Sequence, residues 1–232
     1  MKVVHYLNQF FSGHGGEAAA RLSPGRLSGA VGPGRMLGIE VAASLFCGDD
    51  YFNEHVEEAL GMLLKMLERE TPDVLICGPS FGAGRYGLAC GTLARAAAER
   101  GIPAVCAMEP ESPGVSAAGG TAYIVPTGSS VAEMKHVLPR VAELAERLGR
   151  GESLGSPEEE GYLPRGIRKN ELSTALAAER AVKALLDKLN GRVRTEVPLG
   201  QEKVPPAEPI ASLEQATLTL VSEGGLIPIG NP

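Results

Sequence analysis

The stretch Asp73-Val74-Leu75-Ile76-Cys77-Gly78-Pro79-Ser80-Phe81-Gly82-Ala83-Gly84-Arg85-Tyr86-Gly87-Leu88-Ala89-Cys90-Gly91 decides the fold. It reads as a buried strand from Val74 to Ile76, a turn carrying Gly78, Gly82, Gly84 and Gly87, and a helix starting near Arg85. In an open parallel sheet, the carboxyl end of such a strand and the first amides of its helix face one crevice. Free N–H groups and the helix dipole favour negative charge there. The stretch is therefore either an anion-binding loop or a glycine loop that only makes a tight turn.

The same alternation extends in both directions. Val3 to Leu7 and Ile39 to Phe46 read as strands. Leu60, Leu63, Leu64 and Leu67 give Tyr51 to Arg69 a helical face. Ala104 to Met108 and Tyr123 to Pro126 are further strands. A helix stop at Gly101-Ile102-Pro103 precedes the first of them and a turn at Pro110 to Gly114 follows it. Ser129 or Ser130 can cap a helix reaching Leu148. Strand–helix alternation with short connections predicts an α/β fold: an open, mostly parallel sheet with helices on both faces, Rossmann- or flavodoxin-like. Residues 12–38, rich in glycine, read as a long irregular connection of a kind that is often functional.

After Gly151 the texture changes. Residues 1–150 read as the parallel α/β domain and 151–195 as a helical appendage packed on it, with a helix from about Leu172 to Leu189. Residues 196–215 read as an extended linker. Residues 216–232 read as a C-terminal extension that starts a second, incomplete unit, with a strand at Ala216 to Val221. That strand either joins the existing sheet or belongs to something larger, since an exposed apolar edge is normally covered.

Composition excludes several classes. The net charge of −6 comes with no basic stripe interleaved with aromatics, which argues against a nucleic-acid ligand. No apolar run approaches the roughly 20 residues of a membrane span, and Met1 to Tyr6 reads as a strand rather than a signal peptide. Cys47, Cys77, Cys90 and Cys106 follow no zinc spacing, so no metal is expected. The simplest reading is reduced thiols in a cytoplasmic protein.

Several side chains are candidates for chemistry. Asp49 and Asp50, beside Tyr51, either bind a ligand amine or cap the next helix. Cys77 is either a nucleophile near a helix N-terminus or a small buried residue. Arg85 either clamps a carboxylate or sits in an ion pair, with Tyr86 beside it. Glu109 and Glu111 follow the strand at 104–108 and face the same crevice. Arg165 and Arg168, flanking Gly166, either share an anion or pair with Glu158, Glu159 and Glu160. His5 reads as a core histidine, and His14, in the glycine-rich loop, is freer to act. The glycines at 78–87 do not form G-x-G-x-x-G, and no acidic residue follows at dinucleotide-site spacing, which weakens a nucleotide-cofactor reading.

Five blocks together resemble a known family. They are Val3-Val4-His5-Tyr6-Leu7-Asn8-Gln9-Phe10-Phe11, Cys47-Gly48-Asp49-Asp50-Tyr51-Phe52, Gly78 to Gly87, Glu160 to Arg168, and Gly224 to Pro232. In order, they resemble the N-terminal half of the large, selenocysteine-bearing subunit of protein B of the glycine, sarcosine and betaine reductases. The resemblance implies reductive cleavage of the C–N bond of glycine or an N-methylated relative, in which selenium attacks the α-carbon and the amine leaves. It implies a nucleophilic selenocysteine or cysteine in a C-terminal half or separate chain, since none of the four cysteines here sits in that nucleophile's motif. It also implies a companion subunit carrying a pyruvoyl group, and no cofactor in this chain.

Ser80-Phe81-Gly82 stands where the resemblance leads one to expect Ala-Phe-Asn. The missing amide at 82 removes two hydrogen-bonding functions from the crevice. A substrate-binding role then falls to Asn8, Asp49, Asp50, Tyr51, Ser80, Phe81, Gly82, Gly84, Arg85, Tyr86, Glu109, Glu111, Arg165 and Arg168. Carboxylates and aromatic faces suit the ammonium end of a small amino acid or amine, and Arg85 or helix amides its carboxylate. The competing readings are a non-catalytic metabolite-binding module and a racemase-like enzyme with paired thiols.

Overall fold

The computed structural model describes residues 1–166 and 174–192. The chain divides into two units, Met1–Lys169 and Asn170–Pro232. The first contains β1 (Val3–Asn8), β2 (Gly25–Ser28), β3 (Val41–Cys47), α1 (Asp49–Glu54), α2 (Val56–Glu70), β4 (Val74–Cys77), α3 (Gly84–Ala98), β5 (Ala104–Met108), α4 (Pro113–Ala118), β6 (Tyr123–Pro126), α5 (Met134–Gly149) and α6 (Pro157–Glu160). In the second, the described element is α7 (Ala177–Leu189). The linker expected at 196–215 and the strand expected at 216–221 lie outside the described residues.

The six strands form one open sheet in the order β2-β3-β1-β4-β5-β6, and only β2 runs antiparallel to its neighbour. Counted in chain order, the five parallel strands run 2-1-3-4-5, a doubly wound arrangement. Its switch point lies between β1 and β4, because the chain leaves β1 toward β3 and returns across it to β4. Strands buried on both faces carry continuous apolar runs, as Val74-Leu75-Ile76-Cys77 and Ala104-Val105-Cys106-Ala107-Met108 do. One core contains Leu63, Leu67, Ala89, Leu93 and Ala97 of α2 and α3, packed with Tyr6, Leu75 and Cys106 of the sheet. The other contains Val137, Leu138, Val141 and Ala145 of α5, packed with Val3, Ile76 and Val105. Among the described residues, no helix is long and apolar enough to cross a membrane.

The structure corrects four sequence expectations. The connection at 12–38 is not irregular throughout, because Gly25–Ser28 pairs antiparallel with β3. That strand is four residues long and alternates half-buried with exposed, too short a pattern to register as a strand. The expected helix at 51–69 is two helices broken at His55, whose backbone (φ −132°, ψ 49°) is not helical. The turn at Pro110 to Gly114 opens into α4, capped by Ser112, whose Oγ accepts from Gly114 N–H at 3.3 Å. Of the helix expected from about Leu172, residues 172 and 173 lie outside the described residues, and within them it begins at Ala177.

Helices α3 and α4 meet backbone to backbone. A Cβ on Gly91 would lie 2.1 Å from Gly114 O, and one on Gly114 would lie 2.0 Å from Gly87 O. Glycine at these positions lets the two helices approach more closely than side chains allow. At the β6 edge, Leu163 N–H donates to Ile124 O at 2.8 Å. The Arg165 guanidinium donates to Gly120 O and Thr121 O, both at 2.9 Å, and stacks 3.9 Å from the Tyr123 ring centroid.

Candidate ligand cleft

The carboxyl ends of β1, β3 and β4 open on a cleft of about 530 Å³ beside the switch point, where an open α/β sheet places its ligands. Asn8 ends β1, Asp49 opens α1 just after β3, and Ser80 to Ala83 form the turn from β4 into α3. Gln9, Phe10, Phe11, Gly16, Glu17, Tyr86, Ser129 and Val131 complete the lining.

Asp49 is the best-positioned polar group. Its Oδ2 accepts from Asn8 Nδ2 at 3.0 Å and from Gln9 Nε2 at 3.3 Å, and its own N–H donates to Gln9 Oε1 at 2.9 Å. Asn8 is fixed in turn, because its Oδ1 accepts from Phe11 N–H at 3.0 Å. Two amide side chains thus lock one carboxylate oxygen. The other, Oδ1, is buried and has no hydrogen-bond partner among the described residues. Burial raises the Asp49 carboxyl above its usual value, against the lowering effect of Asn8, Gln9 and Arg85. Gly48, not an aspartate, is the N-cap residue of α1, so neither Asp49 nor Asp50 caps that helix.

Ser80 is 1% exposed, lines the cleft, and its Oγ also lacks a partner among the described residues. Phe81 is buried with φ +48°, an uncommon conformation for a residue with a side chain. A chain of aromatic rings runs from the cleft into the core: Phe10 meets Phe11 edge to face at 5.3 Å, Phe11 lies 6.1 Å from Tyr86, and Tyr86 lies 6.1 Å from the buried Tyr6. Tyr86 donates its hydroxyl to Tyr6 O at 3.3 Å and is fully buried, so it backs the cleft from the core while Phe10 and Phe11 carry the exposed ring surface.

The charged side chains in the lining are Asp49 and Glu17, and no cationic side chain of the described residues lines it. Arg85 is held outside, paired with Asp50 and, at 2.9 Å, with Glu17. The first amides of α3 supply the remaining positive potential.

Of the residues singled out from sequence, Asn8, Asp49, Ser80, Phe81, Gly82 and Tyr86 come together in the cleft lining. Gly84 opens α3 just behind it. Asp50 and Arg85 form the neighbouring ion pair, and Tyr51 packs against His55 at 5.0 Å. Glu109 lies at the rim, its Oε2 2.9 Å from where a Cβ on Gly82 would stand. Glu111 is exposed, and Arg165 is used at the β6 edge, so the structure does not bring these two into the lining. Arg168 lies outside the described residues. Sequence reasoning did not assign Gln9, Phe10, Phe11 or Glu17 to the site. The usable signal was position, since the first three follow directly on a strand whose carboxyl end faces the crevice.

The thiols do not line the cleft. Cys47, Cys77, Cys90 and Cys106 are free and buried. Desolvation pushes Cys47 up to about 12 and raises Cys77 and Cys90 well above the usual thiol value. A thiol held protonated in the core is a poor nucleophile. His5 is buried and neutral: burial lowers it to about 4, and its Nε2–H donates to Gly78 O at 2.6 Å. Among the described residues, no group of side chains is arranged to hold a metal.

A family model described as glycine/sarcosine/betaine reductase selenoprotein B matches residues 1–232. The chain is 45% identical over its full length to the glycine reductase complex component B subunit gamma of Carboxydothermus hydrogenoformans, covering 55% of that protein. It is 40% identical to the sarcosine reductase complex component B subunit beta of Peptoclostridium acidaminophilum, and 36% identical to the betaine reductase complex component B subunit beta of the same organism. Each match spans all of this chain and 55% of the relative, so the chain spans about half the length of the curated relatives it matches. No solved structure matches it.

Proposed function

This chain belongs to the glycine/sarcosine/betaine reductase selenoprotein B family, and from that premise we propose that it forms the substrate-binding half of a component B that reductively cleaves the C–N bond of a small amino acid or N-methylated amine. Its relatives are subunits of reductase complexes. The observation that carries the reading is the cleft at the carboxyl ends of the strands, which has polar and aromatic lining but no thiol.

In the displacement, a nucleophile's electron pair forms a bond to the α-carbon, and the C–N pair leaves with the amine. A selenocysteine or cysteine in another half or chain would supply that nucleophile, and a pyruvoyl-bearing companion subunit would assist with the amine. The residues of this chain bind, orient and exclude water. Asn8 and Gln9 orient Asp49, and Phe10, Phe11, Phe81 and Tyr86 form apolar walls. Phe10 is 61% and Val131 53% exposed at the lining's edge, which suits a cleft that a second half closes. The separation into linker and second unit beyond residue 195 is part of the same proposal, as is a cytoplasmic location. The isolated chain would then be inactive. The deep burial of Cys77 disfavours the racemase reading, which needs a thiol in the cleft.

The test is purification of the chain from its native cell extract, with intact-mass analysis of what co-elutes. The expected result is a stoichiometric partner bearing a reactive cysteine or selenocysteine, or a covalently longer form of the chain itself. A lone monomer or homo-oligomer would overturn the reductase reading and leave a metabolite-binding module.

A further inference from the structure

We propose that the cleft takes its ligand by the ammonium end, with the Asp49 carboxylate as the anchoring anion and the Phe10 and Phe11 rings as the wall that receives N-alkyl groups. The inference rests on the reading of the cleft as the substrate site and assigns the polarity of binding within it.

Three independent observations support this polarity. The first is the unpartnered Oδ1. Asn8 and Gln9 spend their donors on Oδ2 alone, so the second oxygen of this cleft-lining residue is left buried and without a hydrogen bond among the described residues. A buried carboxylate oxygen left bare is unfavourable unless something supplies a donor or a positive charge. The second is charge. Asp49 and Glu17 line the cleft without a cationic side chain, and Arg85, the nearest guanidinium in sequence, is already held by Asp50 and Glu17. The third is the wall. Phe10 and Phe11 meet edge to face with ring centroids 5.3 Å apart, and both line the cleft with surface exposed. Ring faces attract cations, and alkylated ammonium groups most favour such surroundings because they carry few N–H donors to satisfy. A ligand carboxylate has no side-chain cation to meet there, so it points toward the first amides of α3.

The polarity can be read by splitting the ligand into its two ends. Calorimetric titrations of the full chain would use glycine, sarcosine and betaine, then tetramethylammonium and acetate as competitors. We expect tetramethylammonium to compete with the bound amino acid and acetate to compete poorly. Asp49→Asn keeps an acceptor for Asn8 and Gln9 but removes the anchoring negative charge, so binding should weaken about 10- to 100-fold, the effect of losing a hydrogen bond to a charged group. Phe11→Leu should weaken betaine more than glycine, about 3- to 10-fold in the ratio.

Unchanged affinity in Asp49→Asn, with a circular dichroism spectrum like that of the parent, would overturn the proposal. So would competition by acetate but not by tetramethylammonium, and that outcome would leave the substrate-site reading intact. A parent chain that binds none of the three amino acids and no tetramethylammonium would overturn both.

Discussion

Replacing Gly91 with Ala should destabilise the protein although it improves helix propensity, whereas the same change at Gly61 should stabilise it. Both glycines lie inside long helices, α3 and α2. Removing a helical glycine in favour of alanine is worth about 1 kcal/mol in the absence of other effects. At Gly61 nothing stands within 4 Å of the added Cβ, so the full gain is expected. At Gly91 the Cβ would stand 2.1 Å from Gly114 O and 2.8 Å from Gly114 C. An ordinary carbon–oxygen contact is about 3.3 Å, so α4 would have to retreat by roughly 1.2 Å. It cannot slide freely, because Gly114 itself rests against Gly87 O.

Overpacking of this kind costs about 3 kcal/mol at the upper end of its usual range. Set against the propensity gain, the net loss is about 2 kcal/mol. For a unit of this size that is a fall of about 4–8 °C in melting temperature for Gly91→Ala, and a rise of about 2–4 °C for Gly61→Ala. Thermal unfolding followed by circular dichroism reads both changes. Equal melting temperatures for the two variants, or a more stable Gly91→Ala, would refute the backbone contact between α3 and α4.

Three further outcomes follow from burial and charge. A thiol reagent should find almost no fast-reacting cysteine in the native chain and all four after denaturation, since each is buried; one rapidly labelled native thiol would contradict the inert-core assignment. Glu70→Gln should lower stability by about 1 kcal/mol near neutral pH, because Arg26 and Lys2 hold the Glu70 carboxyl below its usual value. The depressed value means that this stability is present above the usual 4.5 and is lost as pH falls below it. The two melting curves should therefore converge in acid, and a difference that persists at low pH would show that packing, not charge, is lost. Asp49→Asn should melt no lower than the parent at neutral pH, because burial, outweighing Asn8, Gln9 and Arg85 and reinforced by Glu17, raises the Asp49 carboxyl and disfavours its ionised form in the folded chain. A large drop in melting temperature would mean that the carboxylate is structural rather than held ready for a ligand.

The parallel strands were legible because burial on both faces writes them as unbroken apolar runs. The runs at Val74 to Ile76, Ala104 to Met108 and Tyr123 to Pro126 stand in the structure as strands where the sequence pattern places them, the first extended by Cys77. Strand β2 was not legible. Its identity depends on a tertiary fit, with Gly25 facing the ring of Phe46, where a Cβ would lie 2.3 Å from the ring. The break at His55 was hidden for a similar reason, since no proline or glycine marks it and the apolar spacing runs on.

At the site, position on the fold was readable and contact was not. Asp49 and Ser80 could be placed at strand ends from the pattern alone. That Asn8 and Gln9 converge on one oxygen of Asp49, across about 40 residues of sequence, appears only when β1 and β3 pair in register, with Asn8 opposite Cys47. For Arg85 the pattern left a carboxylate clamp and an ion pair open, and the structure shows the ion pair, with Asp50 and with Glu17 from the glycine-rich segment.

The most direct measurement is a crystal structure of the chain with betaine, and in parallel with glycine and sarcosine. We expect the ligand in the cleft at the carboxyl ends of β1, β3 and β4, its nitrogen facing the Asp49 carboxylate and its methyl groups within about 6 Å of the Phe10 or Phe11 ring centroid. A ligand seated on another surface, or one whose carboxylate faces Asp49, would contradict the assignment of this cleft.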